Sequence, residues 1–173
     1  MAIVAVGSLG AVLLPSAEAR GEGAARAALD GLVIVDGDSV AGGGALGLGL
    51  GYDFELSPLL LEPEIRGSFG YEGGDFSGWW IRALTGLRVG FAGPVEPCAF
   101  VRLGYGNTLV TRGDASSAES GFALQPGAAV AYRPERWLTV GAEAFYDLFV
   151  FSTQSVTDTM HSVGAGATLA FWF

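Results

Sequence analysis

The sequence contains no lysine, one cysteine and one histidine among its 173 residues. The single cysteine, Cys98, cannot form an internal disulfide, and no Cys/His cluster has the spacing of a metal site. We therefore expect no metal and no cofactor. All nine basic residues are arginines and the net charge is −9. This acidity argues against a nucleic-acid partner, which requires a basic face.

A long apolar run is also missing. Half of the residues are hydrophobic and the mean hydropathy is +0.43, yet no stretch of about 18 apolar residues could form a spanning helix. The 28 glycines further disfavour long helices. This combination is typical of a membrane β-barrel, in which lipid-facing residues alternate with others.

The first residues resemble a targeting segment. Ile3–Leu14 forms an apolar core, Pro15 interrupts it, and Ala17–Ala19 has the small-x-small pattern of a cleavage site. The basic residue usual before such a core is missing. We predict a signal peptide over 1–19, an N-terminal segment over 20–27 and a barrel domain over 28–173; a buried N-terminal strand or helix is the alternative.

From residue 45 onward the chain alternates between bulky apolar and small or polar residues. Leu46, Leu48 and Leu50, for example, are separated by glycines. A period of two places the leucines on one face of a strand and the glycines on the other. Seven such strands occur, and Ala28–Asp36, with weaker alternation, supplies the eighth that a single-chain barrel needs. We predict an all-β fold, an antiparallel up-and-down transmembrane barrel of eight strands. The seven alternating segments are 46–55, 59–71, 79–91, 99–106, 122–132, 138–148 and 163–173.

The connections between these segments differ in length. Three are short, and three are longer and polar. Short turns at one end and long loops at the other are typical of outer-membrane barrels, so we predict this asymmetry. The short ones are Ser57–Pro58, Gly93–Pro97 and Arg133–Arg136, and the longer ones are Glu72–Gly78, Arg112–Ser120 and Phe151–Met160.

The polar face is rich in glycine and alanine, with charged residues between them. Small residues suit the narrow lumen of an eight-stranded barrel, and charges held away from water need ionic partners. We predict an ion-pair network that plugs the lumen; a narrow conduction path is the alternative. The network consists of Glu62, Glu64, Arg66, Arg82, Arg88, Arg102, Glu143 and Asp147, with Asp53 and Glu55 on the same face.

The opposite face carries large aliphatic residues, with aromatic residues towards the strand ends. Aromatic girdles at both interfaces mark membrane barrels, although alternation alone leaves a soluble ligand-binding barrel open. The predicted girdle residues are Tyr52, Phe54, Tyr71, Trp79, Phe91, Tyr132 and Tyr146.

The chain ends on Phe173, with Leu169 and Phe171 at alternate positions before it. This ending resembles the C-terminal recognition signal of outer-membrane barrels. Together with the alternating segments, the loop asymmetry and the leader, residues 28–173 resemble the small outer-membrane β-barrel family of the OmpA/OmpX type. The resemblance implies a place in the outer membrane, contact with its lipid and lipopolysaccharide, and insertion by the barrel-assembly machinery through the last strand. It does not fix an activity.

No catalytic arrangement stands out. His161 and Ser162 are adjacent, so a strand would direct them to opposite faces, and no Gly-x-Ser-x-Gly elbow occurs. Gly42–Gly47 matches a dinucleotide motif, but a strand follows where a helix is required. We expect a structural or surface-interaction protein and not an enzyme. A transport channel for small solutes or apolar molecules and a lipid-modifying enzyme are the alternatives.

Overall fold

In a computed structural model, the described residues are 20–36, 39–56, 58–113, 115–153 and 156–173, and the predicted signal peptide over 1–19 lies outside them. The described part of the chain forms eight β-strands. They are β1 (Arg20–Asp36), β2 (Ser39–Leu56), β3 (Leu59–Gly74), β4 (Ser77–Phe91), β5 (Val95–Arg112), β6 (Ala115–Glu135), β7 (Leu138–Thr153) and β8 (Val156–Trp172).

The strands form a closed ring. Each strand pairs antiparallel with its neighbours in the sequence, and β1 pairs with β8 to complete the barrel. The predicted all-β, eight-stranded, up-and-down architecture is therefore confirmed. Closure satisfies the backbone along the wall, which a structure surrounded by lipid requires. No helix among the described residues is long and apolar enough to cross a bilayer.

The first strand is longer than the sequence predicts. The range 20–27, assigned to a segment ahead of the barrel, belongs to β1, where Ala27 pairs with Leu48 of β2 and Leu169 of β8. Its alanines occur on both faces of the strand, so the two faces barely differ in hydrophobicity. The Gly42–Gly47 stretch lies within β2 and pairs with β1 throughout.

The predicted long loops are wrong. The strands continue through most of Glu72–Gly78, Arg112–Ser120 and Phe151–Met160, so β3 ends at Gly74 and β4 begins at Ser77. These residues are polar because the hairpins extend beyond the apolar wall, and backbone pairing does not require an apolar face. Few residues therefore separate consecutive strands at either end of the barrel.

We call the end that holds Arg20 and Phe173 the terminal end and the opposite one the hairpin end. At the hairpin end, Gly113 has φ +57°, a left-handed conformation that glycine adopts without steric cost. It closes the β5–β6 hairpin. At the terminal end, β5 already begins at Val95 and β6 continues to Glu135, so two of the predicted short turns are shorter still.

The polarity of the wall is opposite to that of a soluble protein. Leu48 is 71% exposed and Leu103 is 56% exposed, whereas Arg102, one residue away from Leu103, is fully buried. In a soluble barrel the leucines would point inward and the arginine outward. The outer surface is therefore that of a barrel surrounded by hydrocarbon, and the alternative of a soluble barrel is wrong.

Aromatic side chains on this outer wall form a band near each end, and all seven predicted girdle residues are exposed there. Phe69 and Trp79 pack edge to face at 5.7 Å, as do Tyr105 and Phe122 at 5.4 Å. Such rings suit the interface between headgroups and hydrocarbon. The band at the terminal end comprises Tyr52, Phe54, Phe91, Tyr132, Trp137 and Phe171, and that at the hairpin end Phe69, Tyr71, Trp79, Tyr105, Phe122 and Tyr146.

Candidate functional site

The middle of the lumen is organised around Arg102 of β5. Its Nε donates to Glu64 Oε1 at 2.6 Å, its Nη2 to Glu143 Oε2 at 3.0 Å and its Nη1 to Gln125 Oε1 at 2.8 Å. The guanidinium also lies 3.9 Å from the centre of the Phe100 ring. Since charge-assisted bonds are the strong ones, Arg102 joins the walls formed by β3, β6 and β7.

The carboxylate of Glu143 on β7 accepts hydrogen bonds from three arginines. Arg66 and Arg102 bond to it from β3 and β5, and Arg88 Nη2 donates to its Oε2 at 2.8 Å. Arg66 also bonds to Asp30 of β1. These bonds cross the lumen between strands that are not neighbours in the ring.

All eight predicted network residues are buried inside the barrel, and each of them forms at least one ion pair with another buried side chain. Arg26 and Asp30 were not predicted as members of the network, because the weak alternation of β1 does not distinguish its inner face. Arg26 Nη2 bonds to both carboxylate oxygens of Glu62 at 2.7 Å. Glu55, predicted for the same face, is exposed at the terminal end, because β2 ends there and water reaches both faces.

The hairpin-end half of the lumen is lined mainly by apolar side chains, around Glu72 and one buried ion pair, which was not predicted from the sequence. Arg82 lies between the rings of Trp80 and Phe149, at 4.4 and 5.0 Å from their centres, and forms an ion pair with Asp147. A signal was present: Trp79–Trp80 and the run from Leu148 to Phe151 are apolar at adjacent positions, as expected where both faces of a strand contact apolar surroundings. The buried cluster here includes Leu32, Ile34, Phe76, Trp80, Val110, Phe149, Phe151 and Met160.

At the terminal end, Arg133 closes the lumen. Its guanidinium contacts Glu22 at 3.5 Å and both Asp53 and Glu96 at 3.3 Å. It also lies 4.2 Å from the centre of the Trp172 ring. Arg133 thus forms ion pairs with carboxylates of β1, β2 and β5 across the terminal mouth of the lumen.

The interior is filled by these groups. A cavity between Arg26, Glu64 and Arg66 has a volume of about 10 Å³, which is room for one water molecule at most. Ion pairs occupy the middle of the described lumen, and the aromatic cluster occupies its hairpin-end half.

His161 and Ser162 lie on opposite faces of β8. Ser162 is inside and donates to Asp147 Oδ2 at 3.3 Å, whereas His161 is on the outer side, against Tyr146 and with its Nε2 3.4 Å from Thr159 Oγ1. The two adjacent residues therefore do not form a catalytic pair. Within the described residues, no cluster of three or more His, Cys, Asp or Glu side chains could hold a metal ion.

The hairpin end presents an open strand edge. Within the described residues, the six residues of β6 from Ala115 to Ser120 pair with β5, but pairing between β6 and β7 begins only at Gly121 with Phe151. Five of these six residues are exposed and Glu119 is half-buried, so the segment projects beyond the wall. An unpaired edge offers backbone N–H and C=O groups to an incoming strand.

The charged residues on the accessible surface of the hairpin end are mainly acidic. Asp75 and Asp158 are exposed beside the projecting hairpin, and Glu119 lies on it. The β1–β2, β3–β4, β5–β6 and β7–β8 hairpins all turn at this end. In the sequence of their tips, Arg112 is the one basic residue. The accessible surface here favours a cationic over an anionic partner.

No family model matches the sequence, and no curated protein matches it. Among solved structures, Neisserial surface protein A is similar with a TM-score of 0.68 and 16% identity, over 87% of this chain and 97% of that one. Ail, the attachment invasion locus protein of Yersinia pestis, gives 0.57 and 16% over 88% and 99%. The outer-membrane enzyme PagL gives 0.52 and 18% over 82% and 97%. These neighbours are bacterial outer-membrane proteins.

Proposed function

Since this chain has the fold of the small outer-membrane β-barrels, we propose that it is an integral outer-membrane protein with a structural and surface-interaction role and a sealed lumen. The observation that carries this proposal is the filled interior. Buried ion pairs occupy the middle, and packed aromatic rings occupy the hairpin-end half. A barrel of this kind offers its partners the outer wall and the ends.

The projecting β5–β6 hairpin is the surface best suited to a partner. Strand addition to an exposed edge uses backbone hydrogen bonds for affinity and side chains for specificity. The open edge of residues 115–120 lies beside exposed carboxylates. The partner class that fits is an extended polypeptide segment with basic residues at the cell surface.

Ail has been solved in complex with the heparin analogue sucrose octasulfate. That ligand is a polyanion, whereas the partner proposed here is basic. The exposed Asp75 and Asp158 would repel such a polyanion from this chain. Structural similarity to Ail therefore does not extend, in this proposal, to sulfated ligands.

The sealed lumen is tested by conductance. Purified, refolded protein is added to planar lipid bilayers under an applied voltage, with a large-pore porin as a positive control. We expect no discrete current steps, because charged and aromatic side chains leave no continuous water path. Reproducible steps that scale with protein concentration would favour the transport alternative.

Orientation is tested by cysteine labelling in a Cys98→Ala background. A membrane-impermeant maleimide should label Ser117→Cys on the projecting hairpin in intact cells. The matched variant Glu135→Cys, exposed at the terminal end, should be labelled only after the outer membrane is permeabilised. The reverse pattern would place the open edge in the periplasm and remove the surface role.

A further inference from the structure

Among the acidic side chains described in the inner lumen, one forms no ion pair. Glu72 lies near the hairpin end of β3, and it is fully buried. Neither of its carboxylate oxygens makes a hydrogen bond. Every other acid of the lumen interior is held by an arginine.

The strand register places polar groups beside this carboxyl. Glu72 pairs with Gly78 of β4, and Trp80, two residues further along β4 and on the same inner face, pairs with Thr108 of β5. Trp80 Nε1 and Thr108 Oγ1 are also buried without a partner. Both can donate a hydrogen bond, and the hydroxyl can also accept one.

Among the described side chains of the inner lumen, Glu72 is a surplus negative charge. Away from the mouth closed by Arg133, the buried ionisable side chains that the structure describes comprise six acids and five arginines. The five arginines are engaged with the other five acids, which leaves Glu72 as the surplus negative charge. The acids are Asp30, Glu62, Glu64, Glu72, Glu143 and Asp147, and the arginines are Arg26, Arg66, Arg82, Arg88 and Arg102.

The nearest cation does not supply the missing charge. Arg82 of β4 faces Glu72, but its guanidinium is paired with Asp147 of β7. The other described inner residues around Glu72 are uncharged, namely Ala41 on β2, Thr108 and Val110 on β5, Phe149 and Phe151 on β7, and Met160 and Ser162 on β8. An ionised carboxylate without hydrogen bonds in such surroundings costs far more free energy than a neutral carboxylic acid does.

We propose that Glu72 is a proton-binding site and that it occupies the lumen as a neutral carboxylic acid at neutral pH. Its hydroxyl then becomes a donor and its carbonyl oxygen an acceptor. A neutral carboxyl can exchange hydrogen bonds with a hydroxyl or an indole N–H, and those of Thr108 and Trp80 are without a partner on the adjoining strands. The site goes beyond the proposed surface role and does not depend on it.

The test compares two isosteric substitutions in the same lumen, Glu72→Gln and Glu143→Gln. Glutamine mimics a protonated glutamate in shape and charge. We expect Glu72→Gln to unfold at the same urea concentration as the wild type at neutral pH. Glu143→Gln, which weakens bonds from Arg66, Arg88 and Arg102, should unfold at a clearly lower concentration.

Infrared spectroscopy provides a second readout that does not depend on stability. In an alkyl maltoside, which contains no carbonyl group, the wild type should show a C=O stretching band of a protonated carboxyl at neutral pH. The difference spectrum between the wild type and Glu72→Gln should contain the band of one protonated carboxyl, and the difference spectrum between the wild type and Glu143→Gln should lack it.

Two results would overturn the proposal. One is a Glu72→Gln variant destabilised as strongly as Glu143→Gln. The other is a wild type without the protonated-carboxyl band; if its unfolding midpoint also rose with sodium or potassium concentration, a bound monovalent cation and not a proton would neutralise Glu72.

Discussion

Replacing Arg102 with methionine is expected to lower the free energy of unfolding by about 3–5 kcal/mol, the cost of leaving buried charges without their partner. Arg102 is fully buried and bonds to Glu64 and Glu143. Methionine preserves much of the side-chain volume, so the loss would be electrostatic and not steric. Urea-induced unfolding from lipid vesicles, followed by tryptophan fluorescence, measures the effect.

The control is Arg136→Met, since Arg136 is exposed in the β6–β7 connection. It should change stability by no more than about 0.5 kcal/mol. The double variant Arg102→Met, Gln125→Leu should cost less than the sum of the two single changes, because the residues share a hydrogen bond of 2.8 Å. An Arg102→Met barrel as stable as the wild type would show that the network does not stabilise the closed ring.

Leu103→Arg is expected to destabilise the inserted barrel by about 2–4 kcal/mol, the cost of a cation on the lipid face near the bilayer midplane. Leu103 is exposed on β5, and its register partners are Thr85 of β4 and Leu124 of β6. Arginine there would face acyl chains and not water. Insertion into vesicles, assayed by heat-modifiable gel mobility, and urea unfolding measure the loss.

The matched control for Leu103→Arg is Ser116→Arg, whose side chain is also on the outward face of its strand. Ser116 belongs to the projecting part of β6, where an added charge remains in water. It should insert and unfold as the wild type does. Equal behaviour of the two arginine variants would mean that Leu103 does not face hydrocarbon.

The alternation of residues was sufficient to predict the strands and the two faces. Leu46, Leu48 and Leu50 alternate with glycine, and a period of two leaves no helical interpretation. Where both faces carry similar residues, the pattern has no contrast. The start of β1 at Arg20 and the aromatic cluster around Phe149 were missed for this reason.

Loop length was not predictable because polarity and strand ends do not coincide. Ser116 and Ser117 are polar and yet belong to β6, since backbone pairing with β5 continues outside the apolar wall. The partners within the lumen were equally hidden. That Arg66 meets Glu143 and Asp30 depends on the ring closing, and not on any spacing in the sequence.

The cross-lumen ion pairs also bear on how the chain enters a bilayer. Arg66 and Glu143 are separated by 77 positions and lie on opposite walls, and Arg88 and Glu143 by 55. A half-built sheet would expose these groups to hydrocarbon with no counterion in reach. Insertion and ring closure are therefore expected to proceed as one concerted event, with the last strand sealing against the first before the interior loses its water.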